Sequence, residues 1–385
     1  MKVIERITSW ENLIKAYENA SKGRKENLDA MRFANKLEEN LIDLQNELRT
    51  GTYKSGKYHV FYVCEPKRRM ILSLPFRDRV AQWAIYQVVY PHAEKKMIYH
   101  SYACRKSKGQ LRAVKRVQYW SSMYINKYGD SYYLKMDISK YFYRVDHEIL
   151  MSILNRYYSD EKELMKIFGS IIKSDQMPFG LDPGRSIENT KRSEMRYDVG
   201  LPIGSLTSQM FANIYLNELD QYVKHKLKVK HYARYMDDMI IIERDLKKLH
   251  KIRDAIEIYA KVMLHLDFNS KTTIGKISRG ITFVGCRIYH NRVRISASTK
   301  KKMKRSLIRE AKRYAKCETT LDHANNVLMS YYGILSHVES EGLMRWISEN
   351  YVLQRNREKE KFKQKVRTKN EGIKLSHHAE THDTA

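Results

Sequence analysis

The chain has 385 residues, enough for two or three subdomains with real cores, and carries a formal charge of +28 from 72 Lys+Arg against 44 Asp+Glu. An excess of that size points to a polyanionic partner, and to nucleic acid ahead of a membrane surface, because no single amphipathic helix gathers the basic residues. The N-terminus lacks the apolar core of a signal peptide, no run approaches transmembrane length, and Cys64, Cys104, Cys286 and Cys317 form no C-x-x-C pair; neither a zinc site nor a disulfide framework is suggested, and a reducing cytoplasm fits.

In chain order, Trp10 to Arg49 reads as helical, with Leu37, Leu41, Leu44 and Leu48 at three- and four-residue spacing. Gly51 and Gly56 break that pattern. Tyr58 to Cys64 and Arg69 to Leu74 read as strands around the basic turn Glu65-Pro66-Lys67-Arg68, and Asp78 to Tyr90 returns to helical periodicity. Ser101 to Gly109 is a basic loop holding Arg105 and Lys108. Tyr132 to Ile138 is a strong strand. The stretch Ser174 to Arg196, with Pro178, Gly180, Pro183 and Gly184, reads as an exposed insertion. Ser205 is placed to N-cap a helix whose apolar stripe holds Leu206, Met210 and Ile214. A helix near Leu246 to Leu264, short strands from Asp267 to Ile295 and a basic helical region from Thr299 to Asn350 follow. The tail after Arg355 reads as a frayed helix and then disorder.

Tyr235-Met236-Asp237-Asp238 lies between His231–Arg234 and Met239–Ile242, two runs of strand formers, and reads as a hairpin. Adjacent carboxylates repel, and they stay ionised at neutral pH only beside a cation. Hard oxygen ligands suit Mg²⁺. An isolated Asp-Asp is more often an ordinary polar turn. Here a third carboxylate, Asp137, ends the apolar strand Tyr132 to Ile138. Three carboxylates delivered by strand ends can hold two divalent ions for phosphoryl transfer, and the N–H groups after Asp137 can cradle phosphates.

Met136-Asp137-Ile138-Ser139-Lys140-Tyr141-Phe142, Gly200-Leu201-Pro202-Ile203-Gly204-Ser205-Leu206-Thr207-Ser208-Gln209 and Tyr235-Met236-Asp237-Asp238 stand in the order seen in reverse transcriptases. Lys67-Arg68-Arg69 with Pro75-Phe76-Arg77-Asp78-Arg79 resembles the fingers segment of the bacterial members, and Ser101 to Lys106 their next template-side block. Asn269 to Thr272 and Phe283-Val284-Gly285 resemble the palm motifs after the catalytic hairpin. The resemblance covers roughly residues 35 to 345.

It implies an α+β right-hand polymerase: an N-terminal helical extension (1–50), fingers (51–131), a palm with an antiparallel sheet (132–156 and 201–295) interrupted by an insertion (157–200), a helical thumb (296–350) and a basic tail (351–385). It implies an RNA-directed DNA polymerase acting on deoxynucleoside triphosphates, a template RNA and an RNA–DNA hybrid, with no membrane partner. Asp137 and Asp237 would be the principal ligands of two Mg²⁺ ions, Mn²⁺ being able to substitute. Asp238 would support them and the Ile138 carbonyl would complete one sphere. The resemblance places Lys67, Arg69, Lys140, Tyr141, Phe142, Ile203, Gln209 and Lys271 around the nucleotide, with Phe142 as the gate against a 2′-hydroxyl. Arg77, Arg79, Arg105, Lys108, Phe283 and Gly285 fall on template and primer.

Ile203, where many reverse transcriptases carry Gln, and Ser208-Gln209 resemble the enzymes of diversity-generating retroelements, whose copying is error-prone opposite adenine and which work with a small basic accessory protein. An aliphatic side chain beside the nascent pair cannot donate hydrogen bonds that police its geometry. Ser205, where that group usually has Asn, and the 174–196 segment leave a second placement open, among stand-alone reverse transcriptases of antiphage defence acting with a second defence component. A catalytically inactive RNA-binding protein on the same fold is the alternative of another class. A maturase is disfavoured because no endonuclease pattern follows the thumb.

Overall fold

The computed structural model describes residues 2–24, 26–64, 68–173 and 177–355. The expected basic turn at Lys67 and the tail from residue 356 lie outside the described residues. The chain divides into two compact units, one of residues 1–117 and 127–276, the other of 118–126 and 277–385. The segment 201–295, expected as one block, is therefore divided after Lys276.

The first unit holds two sheets. A hairpin pairs β1 (His59–Val63) with β2 (Arg69–Ser73). A four-stranded antiparallel sheet has the order β4-β5-β3-β6, from β3 (Tyr132–Asp137), β4 (Tyr232–Tyr235), β5 (Asp238–Glu243) and β6 (Thr273–Lys276). Met239, Ile240, Ile241 and Ile242 of β5 are all buried. An unbroken apolar run of this kind marks a central strand covered on both faces. The helix Leu246–Leu264 packs on β3 and β5, and the helix Leu206–Gln221 packs on the helix Phe76–Lys96. Leu206–Gln221 is buried on almost every side, as expected of a helix whose apolar residues run round its circumference.

Three expectations need correction. The region from Trp10 to Arg49 is three helices, Trp10–Ser21, Leu28–Asn35 and Leu37–Thr50. Gly23 at φ +68° opens the first break, and the Asn27 side chain caps the next helix by accepting from the Asp29 and Ala30 N–H groups. Ser205 stands at the N-cap but makes no capping bond. The Gln82 side chain does the work instead, its Oε1 accepting from Ser205 Oγ at 3.0 Å and from the Leu206 N–H at 3.1 Å. The segment read as an exposed insertion is anchored: Phe179 and Leu181 are buried with Met70 and Leu72 of β2, and Tyr58, Val60 and Tyr62 pack around them. A few apolar residues among many polar ones suffice to cover one face of a hairpin.

The second unit holds an antiparallel sheet of β7 (Ile281–Phe283), β8 (Cys286–Ile288) and β9 (Val293–Ile295). Val284 and Gly285, at φ +44° and +77°, form its first turn, the two-residue loop with both central φ positive that matches strand twist. Helices Ala297–Ala315, Leu321–Leu335 and Glu341–Asn350 enclose Met303, Leu307, Leu335, Leu343 and Ile347. Met303, Leu307, Glu310 and Tyr314 form the buried stripe of the first of these, and the exposed residues on it include Lys301, Lys302, Arg305 and Arg309. Among the described residues, no helix is long and apolar enough to cross a membrane.

Candidate active site

β4 and β5 are joined by a two-residue turn, Met236-Asp237, closed by the pair Tyr235 and Asp238. Met236 has φ +55°, while Asp237 keeps the ordinary sign, the pattern of a turn that normally uses Gly first. β3 then sets Asp137 directly opposite Asp238. Residues opposite each other in an antiparallel pair share a face, so these carboxylates and Lys135, two residues before Asp137, project from the same side of the sheet. The Asp237 carbonyl accepts from the Ile138 N–H at 3.3 Å, the Asp137 carbonyl from Asn269 at 2.7 Å and the Asp267 carbonyl from Ser139 at 2.8 Å. The end of β3 is thus held from both sides.

Burial, followed by the Asp137 carboxylate, pushes Asp237 up to about 6, against the pull of Arg69 and Arg234. Burial pushes Asp238 up to about 7; Lys135 opposes this, and Asp137 and Asp237 add to it. Lys135 Nζ lies 3.3 Å from Asp238 Oδ2, and Asp238 Oδ1 is buried without a hydrogen-bond partner. A buried carboxylate oxygen with no donor and two acidic neighbours is the environment a divalent cation would complete. Among the described residues, no three His, Cys, Asp or Glu side chains are gathered into a cage for an ion. Asp238 pairs with Lys135 on the face that carries Asp137.

The loop that enters the helix Leu206–Gln221 wraps around the turn after Asp137. Leu201 N–H donates to the Phe142 carbonyl and Gly200 N–H to that of Val145, both at 2.8 Å, while the Ile203 carbonyl accepts from Leu72 of β2 at 2.9 Å. Gly200 has φ +99°, and a Cβ there would stand 2.6 Å from the Phe179 carbonyl oxygen. Ile203 and Phe142 are half-buried, and Gln209 is exposed. Gln209 lines a cavity of about 700 Å³ that also takes in Arg79, Gln82 and Gly204.

Lys140, at φ +51°, directs its Nζ to Asp182 at 3.0 Å, and Arg144 pairs with the same carboxylate. Tyr141 is buried, its hydroxyl donating to the Ala212 carbonyl at 2.5 Å. Arg69 is exposed, and its charge reaches both Asp237 and Tyr143. Lys271 is exposed beside the turn made by Asn269.

The residues expected on template and primer are less uniform. Arg105 is committed internally, to Glu94 at 3.3 Å and to the carbonyls of Ile98 and Ser101 at 2.7 and 2.9 Å. Its expected template-side role gives way to a structural one, because its side chain is 7% exposed. Arg77 pairs with Glu47, Arg79 donates to the Ala20 carbonyl at 3.2 Å, and Lys108 lies 3.4 Å from the Tyr99 ring centroid. Phe283 is wholly buried, beside the turn of Val284 and Gly285.

Three residues of this site were not singled out from the sequence. Lys135 could have been, since strand periodicity puts it on the face of Asp137. Arg234 and Asp220 form a wholly buried ion pair, Nη2 to Oδ2 at 2.7 Å, behind the Met236-Asp237 turn. Removing one partner of such a pair costs about 3–5 kcal/mol. Nothing local in the sequence links two residues on different elements.

A family model described as "Reverse transcriptase (RNA-dependent DNA polymerase)" matches residues 56–288, more than half of the chain, and the chain belongs to that family. Protein YkfC of Escherichia coli strain K12 is 25% identical over 292 residues, covering 65% of this chain and 71% of the relative. Among solved structures, apo telomerase from Candida Tropicalis truncated from its C-terminal domain is similar at a TM-score of 0.45 and 14% identity, over 64% of this chain and 55% of that one. A partial Cas6-RT-Cas1–Cas2 complex is similar at a TM-score of 0.38 and 19% identity, over 68% of this chain and 43% of that one. The chain spans about half the length of these two structures.

Proposed function

We propose that this chain copies a template RNA into DNA with low fidelity, in the manner of the diversity-generating retroelement enzymes. The observation that carries the reading is the meeting of Asp137 with Asp238 across β3 and β5, with Asp237 in the adjoining turn and coupled to Asp137. Asp137 and Asp237 would hold Mg²⁺, for which hard carboxylate oxygens are suited, with Asp238 and the Ile138 carbonyl in support. Bound there, such ions would supply the charge that lowers the pKa of an attacking 3′-hydroxyl and neutralises a leaving pyrophosphate.

The chain's own groups do the rest. Arg69 engages the triphosphate with a planar fork that can stack and bind phosphate together. The N–H groups of Lys140 and Tyr141 orient the phosphates, and Lys140 exchanges Asp182 for substrate contact. Phe142 blocks a 2′-hydroxyl and so selects deoxynucleotides. Lys271 assists departure of pyrophosphate. The basic face of the helix Ala297–Ala315 binds backbone phosphates, and that binding weakens with salt. Ile203 lies beside the nascent pair without a hydrogen bond to enforce its shape.

The direct test is primer extension on a defined RNA template with Mg²⁺ and deoxynucleotides. A labelled product that lengthens to the template end, resists RNase and is destroyed by DNase supports the reading. A chain that binds RNA and extends nothing is a binding protein on this fold.

A further inference from the structure

Arg234 heads the wholly buried side chains by size among the described residues, and it stands three positions before Asp237. Burying a guanidinium is unfavourable unless each of its donors finds an acceptor. Here all three nitrogens do. Nε donates to both oxygens of Asp220 at 2.8 and 3.0 Å, and Nη2 to Asp220 Oδ2 at 2.7 Å. Nη1 donates to Asn213 Oδ1 at 3.1 Å and to the Met236 carbonyl at 3.0 Å.

Asp220 and Asn213 belong to the buried helix Leu206–Gln221, and Tyr232 adds a hydroxyl bond to Asp220 at 2.7 Å. The Arg234 main chain pairs as well, its N–H donating to His100 and its carbonyl accepting from Tyr102. One side chain therefore ties a rigid helix to the carbonyl of Met236, the residue whose left-handed φ sets the turn carrying Asp237. A non-glycine residue keeps that conformation only where its surroundings impose it.

We propose that Arg234 is a positioning residue for the reaction: through the Met236 carbonyl it fixes the turn so that Asp237 faces Asp137, with Asp220 and Asn213 as its support. Lysine cannot replace it, because a single ammonium does not span Asp220, Asn213 and a carbonyl in one plane. The inference rests on the polymerase reading for its effect on rate, and on the carboxylate pair alone for its effect on metal binding.

The test compares wild type with Arg234→Lys and with the triple variant Arg234→Met, Asp220→Leu, Tyr232→Phe. The first keeps the charge and the second removes both charges of the pair, so altered metal affinity in either reports geometry rather than field. Thermal melts establish folding. Mn²⁺ affinity is read by electron paramagnetic resonance, RNA affinity by filter binding, and kcat and KM for deoxynucleotide by primer extension.

The expected result is a folded protein with RNA affinity and KM within about twofold, Mn²⁺ binding weakened about tenfold and kcat lowered about 100-fold. A folded variant with wild-type kcat and Mn²⁺ affinity overturns the proposal. So does loss of RNA affinity in step with kcat, which marks general support of the fold. A wild type that binds Mn²⁺ but incorporates nothing defeats the polymerase reading, and the Mn²⁺ comparison still decides the role of Arg234.

Discussion

Lys135 Nζ lies 3.3 Å from Asp238 Oδ2, on the strand face that also carries Asp137. This ammonium is the largest influence opposing the upward push of burial on Asp238. Lys135→Met should leave Asp238 protonated to a higher pH and move the acid limb of the kcat/KM profile upward, and Lys135→Arg should restore it. An unchanged profile in Lys135→Met would separate Lys135 from the site.

Asp237 and Asp238 are pushed up to about 6 and about 7 from an ordinary 3.8. Between those values the folded chain retains protons that the unfolded chain has released. Stability is therefore greatest below the ordinary carboxylate value and falls as pH rises through about 6 and 7. Without metal, the melting temperature should drop from about pH 5 to about pH 7.5. Saturating Mg²⁺ should raise it strongly at the higher pH and little at the lower. Calorimetric scans at both pH values check this, and an equal Mg²⁺ effect at each would contradict it.

How much of this was legible in the chain depends on the range of each interaction. β3 and the β4–β5 hairpin could be read because their β-branched and aromatic runs are local, and the Asp137 and Asp237-Asp238 positions came with them. The opposition of Asp137 to Asp238 is a pairing across about a hundred residues, which no local pattern encodes. The 174–196 segment was misread because Pro, Gly and charge outnumber Phe179 and Leu181, the residues that seat it. Arg105 looked like a nucleic-acid contact because a basic loop gives no hint of the carbonyls its guanidinium meets. Gln82 supplants the Ser205 cap from another helix, a tertiary substitution for a local one.

Gly200 sits at φ +99° against the Phe179 backbone and supplies the N–H that holds Val145. Gly200→Ala should destabilise the chain by about 1–3 kcal/mol or more, since neither the backbone angle nor the neighbouring carbonyl can yield cheaply. Gly184, also left-handed but with nothing near its missing Cβ, is the control. Urea titration of both variants measures the difference, and equal midpoints would remove the steric argument.

Ile203 is half-buried, with its carbonyl bound to Leu72. Ile203→Gln adds a hydrogen-bond donor without changing that main-chain bond. It should reduce misincorporation opposite template adenine by roughly tenfold, the worth of one modest hydrogen bond. Sequencing products from one defined template gives the rate for each protein, and identical error spectra would rule out Ile203 as a determinant of fidelity.

The central claim is that Asp137 and Asp237 together support nucleotide transfer, and single-turnover incorporation of one deoxynucleotide on an RNA template tests it most directly. Wild type should incorporate with Mg²⁺, whereas Asp137→Asn and Asp237→Asn, folded and binding the primer–template normally, should each be slower by a factor of about 1,000 or more. Incorporation at the wild-type rate in either variant would contradict the account.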